Sequence, residues 1–105
     1  MRKQILLYYK YVAIANPDEI KAWQHELCKQ LGLVGRIIIA TEGINGTVCG
    51  SIWATDAYIT HMRQNNLFVD IDFKTSLVNG DFEYFPRLRI VVKPEIVHLG
   101  LDKQQ

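Results

Sequence analysis

The sequence predicts an α+β fold, a ferredoxin-like βαββαβ sandwich in which two helices cover one face of an antiparallel sheet. The chain has 105 residues, of which 49% are hydrophobic, so it suffices for one domain around one core. Segments rich in β-branched and aromatic residues alternate with two amphipathic helical patterns in the order β-α-β-β-α-β. Capping residues mark where both helices begin.

The first strand and the first helix have the clearest boundaries. Residues 4–14 are rich in β-branched and aromatic types, which favours a strand. Asn16 is expected to cap the following helix, with Pro17 at its first position and Glu19 closing a capping box. Gly32 is a favourable helix stop. An apolar stripe at spacings of three and four runs along the helix through Ile20, Trp23, Leu27 and Leu31.

Two strands follow, joined by a glycine-rich stretch. Residues 35–41 predict the second strand and residues 47–50 a short third one. Asn45 and Gly46 both tolerate positive φ, which predicts the hairpin corner there, and Gly43 allows a bulge. The stretch fits neither phosphate-binding glycine motif. Turn chemistry leaves Glu42 unexplained, so this carboxylate bonds either the loop or a ligand.

The second half of the chain predicts one helix, one short strand, a loop and the last strand. Residues 53–65 predict a helix capped by Ser51. Residues 68–73 alternate in polarity and predict a short strand, in the sheet or in a separate hairpin. Residues 74–85 predict a loop, and residues 87–93 predict the last strand.

Strand alternation predicts which side chains lie on the sheet face that the helices leave bare. Leu88 and Ile90 carry no charge and are assigned to the helix side, while Lys10 is taken to place Tyr8 on the bare side and Tyr9 among the helices. The predicted bare face carries Tyr8, Lys10, Arg36, Arg87, Arg89 and Lys93. Two interpretations stay open: these cations merely solvate an antiparallel sheet, or they bind an anionic partner such as RNA.

Composition and spacing exclude several classes of function. The formal net charge of +1 gives no overall attraction to nucleic acid. Cys28 and Cys49 are expected to form no disulfide framework, which favours free thiols in a reducing compartment, and neither a signal peptide nor a membrane span is predicted. The scattered histidines predict no metal site, and no cofactor is predicted. A cytoplasmic protein is expected, and a small enzyme that uses Glu42 or Cys49 is kept as an alternative.

Several short motifs resemble one known family in their order and spacing. The segments that carry the resemblance are Tyr9-Lys10-Tyr11, Asn16-Pro17, Gly35-Arg36, Glu42-Gly43-Ile44-Asn45, Leu88-Arg89, Ile96-Val97 and Gly100. They look like the N-terminal domain of the rhodanese-related tRNA uridine hydroxylases, over about residues 5–102.

The resemblance implies an acylphosphatase-like domain at residues 1–99, with residues 100–105 beginning a linker to a C-terminal rhodanese domain. It implies a protein that hydroxylates the wobble uridine of tRNA with oxygen, giving 5-hydroxyuridine. This chain has no rhodanese-type cysteine loop, so no catalytic residue is expected in it. The loop at residues 13–17 also lacks the arginine and glycines of an acylphosphatase site.

The candidate residues for binding tRNA, or for docking on the rhodanese domain, are therefore assigned to the bare face and its edge. They are Tyr8, Lys10, Arg36, Glu42, Gly43, Asn45, Arg87 and Arg89. The alternative is a protein-interaction module whose bare face never contacts RNA.

Overall fold

The computed structural model of the protein describes residues 2–79 and 85–96. Within these ranges the chain forms a five-stranded sheet in the strand order β4-β1-β3-β2-β5. The elements are β1 (Arg2–Tyr11), α1 (Pro17–Leu31), β2 (Val34–Ala40), β3 (Gly43–Ser51), α2 (Ile52–Arg63), β4 (Lys74–Asn79) and β5 (Leu88–Val92). The first four strands pair antiparallel in the ferredoxin-like order, and β5 adds to β2 in parallel. The predicted fold class is confirmed, with a mixed sheet because of β5.

Both helices begin where the sequence predicts. The Asn16 side chain accepts a hydrogen bond from the Glu19 N–H at 3.3 Å, and Gly32 ends α1 in the left-handed conformation with φ of 71°. Ser51 Oγ accepts from the Ala54 N–H at 3.0 Å at the start of α2. One core joins α1, α2 and one face of the sheet, so both helices lie on that face.

The strand assignments between residues 68 and 93 are wrong in two places. Residues 74–79, predicted as a loop, form β4 and pair with β1, while residues 80–84 lie outside the described part of the chain. Residues 68–73 form no strand. Phe68 and Ile71 lie in a segment of turns and pack their side chains into the core, which explains the apolar residues that suggested a strand. The edge strand β4 is mostly polar, so its sequence shows little of the apolar alternation by which strands are recognised.

The corner between β2 and β3 also differs from its prediction. Ala40 pairs with Gly43, so the turn consists of Thr41 and Glu42, while Asn45 and Gly46 lie inside β3. Gly43 has φ of 156°. Gly46 has another purpose: a Cβ there would overlap the ring of Tyr8, with the ring Cζ only 2.5 Å away. The glycine is needed for close packing of an aromatic ring, not for a turn.

The phase predicted for β1 is wrong. Leu6 and Tyr8 are buried, whereas Leu7, Tyr9 and Tyr11 are 44%, 67% and 57% exposed. Tyr8 therefore lies in the core, where its hydroxyl hydrogen-bonds that of Tyr58. The Tyr58 hydroxyl also donates to Gln24 Oε1 at 2.6 Å. Because these polar atoms are satisfied, their burial is tolerated.

Lys10 has the parity of Tyr8 and leaves β1 on the helix side. Its ammonium lies 2.8 Å from a carboxylate oxygen of Asp70, in the segment that follows α2. A lysine at the end of a strand reaches such a partner through its long stem, so its charge does not mark the solvent face.

Candidate functional site

The open face is defined here as the sheet face opposite α1 and α2. Residues directly opposite in neighbouring strands lie on the same face, so the register places Tyr9, Asn45, Ile38 and Val91 in one row across four strands. The next row contains Lys74, Leu7, Thr47, Arg36 and Arg89.

Charge on the open face is of one sign. Its strand positions include Lys3, Arg36, Lys74 and Arg89, and none of those positions in the five described strands is Asp or Glu. Arg36 and Arg89 are exposed and stand opposite each other on β2 and β5, as the sequence predicts. Arg87, also exposed, directly precedes β5. The face has a local positive potential although the whole chain is nearly neutral.

Two exposed tyrosines lie beside these cations. The rings of Tyr9 and Tyr11 contact edge to face, with centroids 6.3 Å apart. Sequence reasoning assigned them to the core, because Lys10 was taken as the outward residue. Alternation within the strand gives no signal that could have found them, because residues 5–9 are apolar or aromatic on both faces. The open face thus offers aromatic surface as well as charge, the pair of features with which proteins bind single-stranded nucleic acid.

The predicted candidates Glu42, Gly43 and Asn45 form a clamp on Ile96. A carboxylate oxygen of Glu42 accepts the Ile96 N–H at 3.0 Å, and the Asn45 side-chain amide donates to the Ile96 carbonyl at 3.2 Å. The Ile96 side chain is 1% exposed, and a Cβ at Gly43 would lie 3.0 Å from its Cδ1. These three residues, the Ile96 clamp, hold the segment after β5 against the end of the open face.

A cleft of about 520 Å³ opens beside β1, near the residue at which β4 begins. β4 pairs with β1 only as far as Leu7, and the cleft lies between the rest of β1 and the segment leading into β4. Its lining comprises Leu7, Tyr8, Tyr9, Lys10, Asn45, Gly46, Thr47, Asp70, Ile71, Asp72 and Lys74. Lys10 closes part of the wall by bonding Asp70, and it holds the pKa of that carboxyl below its ordinary value.

The thiols are poorly suited to nucleophilic chemistry. Cys49 is 3% exposed, and burial raises its pKa despite the opposing charge of Lys3. Burial raises the pKa of Cys28 to about 12. A thiol in such surroundings stays protonated at neutral pH. Among the described residues, no three His, Cys, Asp or Glu side chains group as a metal site, and neither helix there has the length and apolarity to span a bilayer.

Comparison with known proteins identifies sequence relatives. The family model described as the UPF0176 acylphosphatase-like domain matches residues 3–96. A tRNA uridine(34) hydroxylase of Corynebacterium urealyticum is 47% identical over 92% of this chain, and one of Streptococcus suis is 46% identical over 94%. A third, of Aster yellows witches'-broom phytoplasma, is 43% identical over 95%. The chain spans 30–32% of the length of these curated relatives.

Solved structures show the same fold in proteins of distant sequence. The dark-state structure of BlrB, a BLUF protein, aligns with a TM-score of 0.72 at 20% identity, covering 96% of this chain and 80% of that one. A bacterial light-regulated adenylyl cyclase aligns with a TM-score of 0.70 at 13% identity, over 99% of this chain and 31% of the other. At these identities the likeness concerns the fold alone.

Proposed function

Because the chain belongs to the UPF0176 acylphosphatase-like domain family, we propose that it is the N-terminal domain of a tRNA uridine(34) hydroxylase and that its open face holds the tRNA. Relatives at 43–47% identity carry that name. The hydroxylation itself, at C5 of the wobble uridine with oxygen as oxidant, belongs in this proposal to a rhodanese-related domain elsewhere in the protein. The chain described here positions the substrate in the cytoplasm, where tRNA is found.

The observation that carries the proposal is the combination of exposed tyrosines and acid-free cationic positions on the open face. Arg36 and Arg89 face the same side from adjacent strands, so their guanidinium groups can contact successive phosphates. Tyr9 and Tyr11 present rings on which unpaired bases stack. An anticodon loop supplies both features, since its bases are unstacked and its backbone is anionic.

A second candidate function is docking of the open face on the remainder of the protein. The Ile96 clamp favours it, because the clamp fixes the segment after β5 against the end of the open face. Relatives are about three times as long as this chain, so further domains are expected in the complete protein. In this alternative the cations meet acidic protein surface and RNA is not bound by this domain.

Binding of tRNA to this chain at increasing salt concentration separates the two functions. Fluorescence anisotropy with a labelled tRNA gives the affinity and its salt slope for the native chain and for the Arg36→Ala/Arg89→Ala variant. Loss of two phosphate contacts should lower the slope of log K against log salt by about 1.4–1.8 and weaken binding at low salt.

The matched control removes two cations from the opposite side of the molecule. Lys21 and Lys29 are exposed on α1, and the Lys21→Ala/Lys29→Ala variant changes net charge by the same amount. It should bind tRNA nearly as the native chain does. If the native chain shows no salt-dependent binding while its circular dichroism is that of a folded protein, the RNA function is wrong and docking is favoured. Equal losses in both variants would also count against the open face, since they would reflect net charge alone.

A further inference from the structure

We infer that the cleft beside β1 is a subsite for one unstacked nucleotide of the bound RNA. This inference rests on the proposed function, because it names the place at the edge of the open face where the RNA strand is bound. The cleft adjoins the row of Arg36 and Arg89 through Thr47 and Leu7, which occupy the strand positions between them.

The size of the cleft fits a nucleotide. Its volume of about 520 Å³ lies within the range of about 300–1,000 Å³ that is usual for small-molecule sites. Its wall contains the ring of Tyr9, which is 67% exposed and belongs to no buried cluster. A base entering from the open side finds this ring as a stacking partner.

The polar groups of the cleft match the polar groups of a nucleotide. Lys74 is exposed at the rim, opposite Leu7, and supplies a cation for a phosphate. Asp72 is an exposed carboxylate that accepts hydrogen bonds from ribose hydroxyls or base N–H groups. Asp70 is already paired with Lys10, so it adds little net repulsion toward an anion.

Asn45 gives the cleft a preorganised polar wall. Its side-chain nitrogen is committed to the Ile96 carbonyl, which fixes the orientation of the amide. Thr47, two residues along the same strand face, adds a hydroxyl. Side chains held in one orientation lose less entropy when a ligand binds, which favours selective recognition of a base edge.

The cleft is tested by itself with uridine 5′-monophosphate. In a titration of the ¹⁵N-labelled chain, the amides of Asn45, Gly46 and Thr47 should shift, and a dissociation constant follows from the curve. Tyr9→Ala and Lys74→Ala should each weaken binding about 5-fold or more. The controls are Trp53→Ala, which removes an exposed ring on α2 outside the cleft, and Lys29→Ala, which removes a distant cation. Both should bind as the native chain does.

A second arm locates a longer RNA. A single-stranded RNA carrying one 4-thiouridine is bound and irradiated, and the cross-linked peptide is identified by mass spectrometry. Cross-links at residues 7–10, 45–47 or 70–74 support the subsite.

Failure of the subsite and failure of the proposed function give different results. If RNA binds with the expected salt slope, but cross-links elsewhere and the mononucleotide causes no shifts, the subsite is wrong and the proposed function stands. If the mononucleotide shifts the cleft residues and the single-stranded RNA cross-links there while tRNA does not bind, the subsite stands and the tRNA proposal is wrong. If neither ligand binds, both are overturned.

Discussion

Replacing Ile96 by alanine tests whether the Ile96 clamp stabilises the fold. The side chain is 1% exposed, and the substitution keeps the backbone N–H and C=O that bond Glu42 and Asn45, so what it removes directly is the packing that holds the segment in place. Truncating a fully buried isoleucine to alanine costs about 2–5 kcal/mol. Ile96 lies after β5 in a segment that is neither helix nor strand and can partly relax, so we expect a loss of about 2–4 kcal/mol in the free energy of unfolding.

The assay is equilibrium unfolding in urea followed by tryptophan fluorescence. Trp23 stacks on the buried Phe68 with a centroid distance of 6.1 Å, so its emission reports the core. Ile52→Ala is the matched control, because it removes the same atoms from a side chain that is 38% exposed. Its cost should stay below about 1 kcal/mol, since little apolar area is lost from the interior.

A cost for Ile96→Ala no larger than that for Ile52→Ala would refute the clamp. A double-mutant cycle with Glu42→Ala adds a second criterion. Glu42→Ala alone should cost about 1 kcal/mol for its hydrogen bond. The double variant should cost less than the two single losses together, because a segment that has already detached has no contacts left to lose. Strict additivity would mean that Glu42 and Ile96 act independently.

Two further predictions concern the buried polar groups. Tyr58→Phe removes the hydroxyl that joins Tyr8 to Gln24 and leaves buried polar atoms without partners. It should lower the free energy of unfolding by about 2–4 kcal/mol, which corresponds to a fall of about 10–20 °C in melting temperature. A fall of less than about 2 °C would contradict the hydrogen-bond network. Stability should also decline as pH rises above about 9: burial raises the pKa of Cys28 from 9.0 to about 12 and that of Tyr8 and Tyr58 above 10.0, so only the unfolded chain releases these protons. Urea unfolding between pH 8 and 11 measures the slope, which Cys28→Ala should reduce.

Local signals in the sequence were sufficient for the helices. Asn16, Gly32 and Ser51 act within one turn of chain, so their capping hydrogen bonds depend little on the rest of the fold. The order of elements followed from these boundaries, and with it the fold class. Arg36 and Arg89 were also placed correctly, because the apolar residue that follows each of them, Ile37 or Ile90, is buried on the helix side.

Tertiary packing decided the features that sequence reasoning missed. The run from Ile5 to Tyr9 is apolar or aromatic on both faces, so alternation alone does not distinguish its two phases. The buried hydrogen-bond partner of Tyr8 is Tyr58 on α2, which in turn bonds Gln24 on α1, and the partner of Lys10 lies beyond α2. Likewise, nothing near Asn45 and Gly46 in the sequence indicates that one contacts Ile96 and the other accommodates a ring.

The corrected phase of β1 changes the argument for RNA binding without removing it. Lys10 leaves the predicted set of five cations, which weakens the electrostatic part of the hypothesis. Tyr9 and Tyr11 replace Tyr8 on the open face, so the face gains one more ring for stacking than the sequence predicts.

Asn45 connects the two ends of this surface, because it lines the cleft and also holds Ile96. A segment pulled away from the clamp would free the Asn45 amide to rotate, and the polar wall of the cleft would lose its fixed orientation. The position of the segment at Ile96 and the affinity of the cleft for a nucleotide should therefore be coupled. The Ile96→Ala variant is predicted to weaken binding of uridine 5′-monophosphate although Ile96 does not line the cleft, and unchanged affinity would separate the two features.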